Sequence, residues 1–319
     1  MMIVMVGLNQ RATELCQAIE RDAELLGVSV SRNEAGTRVI DCGIRVAGGL
    51  EAGLRLAEIC LGGLGRLHLT YGSDADSWPA VVVASDHPVA ACMASQYAGW
   101  QLTSEHYLAM GSGPFRAAAG REELFDTIGL REQNVAHAVG VLETAQLPPA
   151  KLCVDIAAAC HVPPDQLTLL VARTASHAGN LQIVARSVET ALHKMHELGF
   201  DIRQVSNAMG TCPLPPVAAD DLVGIGRTND AVLYASQVTL WLHASDGEIE
   251  SLGPAIPSCA SADFGEPFAL IFERYERDFY RIDPNLFSPA QLSLINLDSG
   301  NCFRFGQVRA DIARQSFSP

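Results

Sequence analysis

Amphipathic helix patterns alternate with short β-branched runs along almost the whole chain, and strand-like pairs close it. That order limits the architecture more than any other feature. "NQRATELCQAIERDAELLG" reads as a helix capped by Asn9 and stopped by Gly27. "TRVIDCGIRV" reads as a strand, "GGLEAGLRLAEICLGGLG" as a helix bracketed by glycines, and "WPAVVVAS" as a buried strand. "DHPVAACMASQYAGW" starts a helix with Asp86 near the cap and Pro88 in the first turn, where its missing N–H costs nothing. "HYLAMGSGPFRAAAGREELF" crosses a Gly-Ser-Gly-Pro turn into another helix. "VGVLETAQLPPAKLCVDIAAACHVPPDQLTLLVART" gives a strand, a Pro-opened helix and a second strand. Further on, "AVLYASQVTLWLHA" reads as two strands around a Ser-Gln turn, and "LSLINLDSGNCFRFG" as two strands around Asp-Ser-Gly-Asn. "CPLPPVAADD" and "LGPAIPSCASAD" are loops too short to be flexible linkers. The mixed order predicts an α+β fold of closely packed parts rather than a simple doubly wound sheet.

A chain of 319 residues can bury roughly three-quarters of its unfolded surface, enough for a large core or two domains. Its mean hydropathy of +0.15 is high for a soluble monomer and points to a subunit interface. Thirty-six acidic against 22 basic residues leave a formal charge of −14, which argues against nucleic acid and anionic membrane as partners. The opening "MMIVMVGLNQ" lacks a basic leader followed by a sustained apolar stretch, and no apolar run approaches the roughly 18 residues of a membrane span. A cytoplasmic location is expected. The nine cysteines lie far apart without CxxC or zinc spacing, so they read as buried thiols, with no disulfide and no structural metal.

The Gly111-Ser112-Gly113 turn could offer backbone N–H groups to a polar ligand, but Arg116 stands where a GxGxxG would need its last glycine. His193 and His196, three apart, lack a third ligand to make a metal site. No GxSxG elbow marks a nucleophile. The stretch "ARSVETALHKMHELGF" reads as one helix ending at Gly199, with Phe200 packing back on Met195. Its periodicity puts Val184, Val188, Ala191, Leu192, Met195 and Leu198 on one side and Gln182, Arg186, Glu189 and His193 opposite. By spacing alone, Arg186 and Glu189 are a surface ion pair one turn apart, contributing a few tenths of a kcal/mol.

The surrounding residues change that reading. "LLVARTASHAGNLQIVARSVETALHKMHELGF" resembles the central segment of the methenyltetrahydromethanopterin cyclohydrolase family. "VIDCGIRVAGGLEAGLRLAEICLGGLG", "WPAVVVASDHPVAACMASQYAGW", "AMGSGPFRA", "GRTNDAVLYA" and "NLFSPAQLSLINLDSG" resemble further blocks of it in the same order. The likeness covers essentially the full chain. It implies two intertwined α+β domains, about 1–150 and 151–319 with exchanged segments, a ligand cleft between them, and a homotrimer. It also implies reversible hydrolysis of 5,10-methenyltetrahydromethanopterin to 5-formyltetrahydromethanopterin, with no cofactor beyond the pterin substrate and no metal.

On this resemblance Glu189 is the general base and acid, and Arg186 its catalytic neighbour. Asp86, His87, Gly111, Ser112, Gly113, Thr174, Ser176, Gln182, Arg227, Asn229 and Asp230 are the expected pterin contacts. His177, Asn180 and Cys212 depart from the family pattern and bear on substrate preference. Two other functions fit less well: a cyclohydrolase acting on a folate analogue, for which the dinucleotide fingerprint of bifunctional enzymes is missing, and a non-catalytic pterin-binding protein, which would have no need to retain Arg186 and Glu189.

Overall fold

The computed structural model describes residues 7–71, 78–278 and 281–318; residues 1–6, read above as the start of the chain, lie outside them. The strands are β1 Ser29–Arg32, β2 Arg38–Asp41, β3 Arg66–Tyr71, β4 Pro79–Ser85, β5 Trp100–Ser104, β6 Tyr107–Ser112, β7 Ala138–Glu143, β8 Leu167–Ala172, β9 Val205–Pro213, β10 Gln237–Leu242, β11 Gln291–Asn296 and β12 Cys302–Gly306. They form two mixed sheets, ordered β1-β2-β8-β7-β6-β5 and β12-β11-β10-β9-β4-β3, in the α+β class that the sequence predicts. The chain divides into two compact units, 1–65 with 90–182 and 66–89 with 183–319.

In the first unit β8 lies parallel to both β2 and β7. A strand buried on both faces needs a continuous apolar run, and "LTLLVA" supplies it. Alternation along the strands sends Val39, Leu169 and Val171 to one face, where they pack on Leu152, Cys153 and Ile156 of the helix Ala150–Ala159. Ile40, Leu170 and Ala172 point the other way, onto the helices Leu8–Arg21 and Leu50–Cys60 through Cys16, Ile19, Leu56 and Ile59. The helix Ala150–Ala159 is the crossover from β7 to β8, so the expected border at 150–151 falls inside this unit. The antiparallel pair β3 and β4 belongs instead to the second unit's sheet, where β4 pairs with β9.

The structure alters three local expectations. "AVLYA" is not a strand. It ends the helix Asp221–Ala235, whose cap is Asp220, accepting the Val223 N–H at 2.9 Å. A helix started by a good cap carries on through the β-branched residues once Ala231, Leu233 and Tyr234 have a core to enter. The first helix is entered from Gly7, and Asn9 lies within it. The Asn9 amide holds the Pro114 carbonyl (2.9 Å) and the Val139 N–H (2.9 Å) instead of capping. Val89–Gln96 is a π-helix and not an α-helix.

The ending at Gly199 is as expected: the Phe200 N–H reaches the Met195 carbonyl (3.0 Å) and the Gly199 N–H that of His196 (2.9 Å). Seven cysteines are buried, while Cys259 and Cys302 are exposed. Burial pushes the Cys16 and Cys160 thiols up to about 12, so both act as small apolar groups. No helix among the described residues is long and apolar enough to cross a membrane.

Candidate active site

The segment read as one amphipathic helix is two. A first helix spans His177–Val184, the chain turns at Ala185 and Arg186, and a second helix spans Ser187–Glu197. Arg186 stands at the N-cap with φ −90° and ψ 5°, and its carbonyl takes the Thr190 N–H at 2.9 Å. Glu189 therefore falls in the first turn, where the free N–H groups and the helix dipole favour negative charge.

The second helix packs on β9 and β10. Gly210 of β9 permits the approach, because a Cβ there would meet the Ser187 hydroxyl oxygen at 2.5 Å and Val188 at 2.8 Å. Gln182, Arg186 and Glu189 are 2%, 8% and 5% exposed. The polar stripe is thus buried, and the reading of Arg186 and Glu189 as a surface ion pair does not hold. Charged groups are rarely buried this deeply without a partner or a task. Farther along the helix, His193 is half-exposed and pairs with Glu197 at 3.8 Å.

The other expected contacts fall into distinct settings. Thr174, buried just beyond β8, donates its hydroxyl hydrogen to Glu143 Oε1 at 2.5 Å. Ser176 donates to the Arg173 carbonyl (2.7 Å) and accepts the Gly179 N–H (3.0 Å), shaping the entry to the helix His177–Val184. Exposed Asp86 takes a hydrogen bond from Asn207 Nδ2 (2.7 Å), and the His87 N–H bonds Ser85 Oγ (3.0 Å), so Asp86 and His87 form an ordered corner after β4.

Gly111 and Ser112 are inside β6, and the Gly113 N–H is engaged by the Ser95 carbonyl at 2.7 Å. That turn does not present the open N–H groups its sequence suggests. Arg227 reaches the carbonyls of Ser316 (3.3 Å) and Pro216 (3.2 Å), and Asn229 that of Ile225 (2.9 Å). "GRTND" therefore braces its helix against neighbouring segments. Of the departures, His177 is exposed, Asn180 is buried, and Cys212 lies fully buried in β9 with its thiol pushed up by burial.

Asp230 is fully buried and accepts the Phe268 N–H at 2.7 Å. Burial pushes its carboxyl from an ordinary 3.8 up to about 7, although the Ser316 hydroxyl and the Phe268 N–H draw it part of the way back. The folded chain then keeps a proton that the unfolded chain releases. Stability from this group is fully present below about pH 4 and declines as pH rises towards about 7. Asp230→Asn is expected to flatten that decline and to raise the melting temperature more at pH 8 than at pH 5. Parallel melting curves for the two proteins across this range would refute it.

Arg116 was legible only as the residue that spoils a glycine motif. Its side chain is fully buried, with Nε donating to Glu122 Oε1 (2.9 Å), Nη2 pairing with Glu122 Oε2, and Nη1 on the carbonyls of Met93 and Ser95 (3.1 Å each). The guanidinium lies 5.0 Å and 5.4 Å from the ring centroids of Tyr97 and Phe125. These bonds satisfy carbonyls of the π-helix that its own geometry leaves open.

Glu189, buried in the first turn of its helix, and buried Arg186 at the N-cap three residues before it form the candidate site. A family model described as Cyclohydrolase (MCH) matches residues 7–317. The chain is 44% identical over 313 residues to the methenyltetrahydromethanopterin cyclohydrolase of Xanthobacter autotrophicus, covering 98% of this chain and 93% of that one. It is 39% identical over 317 residues to the enzyme of that name from Methanosarcina barkeri, covering 98% of both. The one from Methanospirillum hungatei is 38% identical over 315 residues, 98% of this chain and 99% of its own. The chain belongs to the cyclohydrolase (MCH) family.

Proposed function

We propose that the protein hydrolyses 5,10-methenyltetrahydromethanopterin to 5-formyltetrahydromethanopterin, reversibly, with Glu189 as general base and acid and Arg186 as its partner. The observation that carries this reading is the burial of Glu189, 5% exposed, in the first turn of the helix that follows Arg186, inside a chain of this family.

The substrate carbon bridges two nitrogens in a delocalised cation and is already electrophilic, so the chemistry draws on no metal or redox cofactor. Water adds to that carbon while Glu189 takes one proton, leaving a neutral carbinolamine. The proton then passes from Glu189 to the arylamine nitrogen, and the C–N bond breaks. As the C–O bond becomes the formyl C=O, the hydroxyl proton is released, which accounts for the net proton of the reaction. A carboxylate suits each step, and its charge also stabilises the cation. Arg186 favours the ionised carboxylate and fixes its orientation.

Of the expected pterin contacts, Gln182, Thr174, Ser176, Asp86 and His87 fit ligand binding best. The hydrogen bonds of Gly113, Arg227, Asn229 and Asp230 serve the framework. The family resemblance supports a cytoplasmic homotrimer, which light scattering would test.

Arg186→Gln is expected to lower turnover at least about tenfold and to shift the acidic limb of the pH–rate profile. An unchanged profile would remove Arg186 from the tuning role.

A further inference from the structure

The helix that carries Glu189 is short, and the break at Ala185 and Arg186 separates it from the helix before it. Its seat therefore depends on its own contacts. Ala191, Leu192 and Met195 are fully buried, but apolar packing is non-directional and leaves the axial position of a helix to other contacts. At 3.6 residues per turn, Ser187, Ala191 and Lys194 share one side of this helix, and Glu189 and His193 lie on the other. The side opposite Glu189 is held at its start by the close approach of Ser187 to Gly210.

Lys194 holds that side towards its other end. Its side chain is buried, and its ammonium donates to Asn285 Oδ1. Among the described residues this is its one hydrogen bond, while Asp283 and Glu197 act on it through space. Burial draws its pKa down from the ordinary 10.5, as it does for a charge kept from water at a cost. An apolar side chain of similar shape would fill the same space without that cost, and the best-attested return on a buried charge is a fixed register. Asn285 belongs to an anchored turn. Asp283 Oδ1 accepts the Asn285 N–H (3.0 Å), and its Oδ2 accepts the Ser261 hydroxyl (2.7 Å) and the Ala262 N–H (3.3 Å). The Asp283 N–H in turn donates to Asp263 Oδ2 at 3.3 Å.

The geometry points to Lys194 as a positioning residue for the reaction: its hydrogen bond to Asn285 fixes the axial register of the helix Ser187–Glu197, and with it the place of the Glu189 carboxylate. This rests on the proposed role of Glu189 and adds what holds that residue in place. The two residues stand roughly 7.5 Å apart along the axis, and the backbone hydrogen bonds between them make the helix stiff over that length. A slide at Lys194 is therefore passed on to Glu189, where a misplacement of about 1 Å can cost about two orders of magnitude in rate.

The test measures kcat and KM for methenyltetrahydromethanopterin in wild type, Lys194→Met, Asn285→Ala and the double variant. Each is assayed well below its melting temperature, with circular dichroism as the folding control. The expected result is a kcat lowered about tenfold or more in Lys194→Met and several-fold in Asn285→Ala, with KM within about twofold of wild type. The double variant is expected to fall within about twofold of Lys194→Met, since both changes break one contact. Wild-type kcat in the folded single variants overturns the assignment even where the melting temperature falls, because Lys194 then serves stability alone. So does a loss confined to KM, and so do losses that multiply in the double variant. Should Lys194→Met not fold, Asn285→Ala, a change at an exposed residue, decides alone, and wild-type kcat there is equally fatal. Wild-type protein that does not turn over the substrate, or Glu189→Gln that matches it, fails the proposed function itself. An essential Glu189 with Lys194 and Asn285 both indifferent fails this inference alone.

Discussion

Glu189→Gln is expected to leave the chain folded and to lower turnover of methenyltetrahydromethanopterin by about two to four orders of magnitude. The substitution keeps the shape of a side chain that is only 5% exposed and removes the group that takes and returns the proton. Because the amide cannot accept a proton from water, the loss should appear in kcat, with KM changed much less. The reverse direction should slow by the same factor, since the same proton transfers are retraced. Stopped-flow absorbance of the methenyl chromophore, with circular dichroism as the folding control, reads both. Turnover within a few-fold of wild type would remove Glu189 from the chemistry.

The second large effect is on stability. Arg116→Ala is expected to destabilise the protein by about 3–5 kcal/mol, the usual result of removing one partner from a buried, hydrogen-bonded charge pair. The variant removes the guanidinium from the Met93 carbonyl and the Glu122 carboxylate, leaves the Ser95 carbonyl only the Gly113 N–H, and opens a void beside Tyr97 and Phe125. A fall in melting temperature on the order of 10 °C should follow. Arg116→Lys should recover only part of it, since one ammonium cannot reproduce a fork that reaches Glu122 and two carbonyls together. A melting temperature within 2 °C or so of wild type would show that the π-helix is held by other means.

Much of the fold was legible because local pattern and tertiary setting agree. β4 and β8 fall within the runs that read as strands, β7 and β11 begin one residue before theirs, and the Gly199 ending forms as its residues require. The failures have physical causes. "AVLYA" has strand composition, yet it inherits a helix capped upstream by Asp220. The break at Ala185 and Arg186 has no proline or glycine to announce it, and the apolar period runs through it undisturbed. Spacing therefore gave Arg186 and Glu189 the right neighbourhood but the wrong exposure.

The site was legible mainly through resemblance. Periodicity could place a carboxylate beside an arginine but could not say that both are buried. Arg116 was illegible for another reason: its role arises from a π-helix, which leaves no local pattern in sequence.

The most direct test offers the purified protein methenyltetrahydromethanopterin and methenyltetrahydrofolate in parallel and follows the methenyl absorbance. Enzyme-dependent loss with the methanopterin substrate, much faster than with the folate and abolished in Glu189→Gln, is the predicted result. Binding of the methanopterin substrate without loss of absorbance, or faster loss with the folate, would contradict the account.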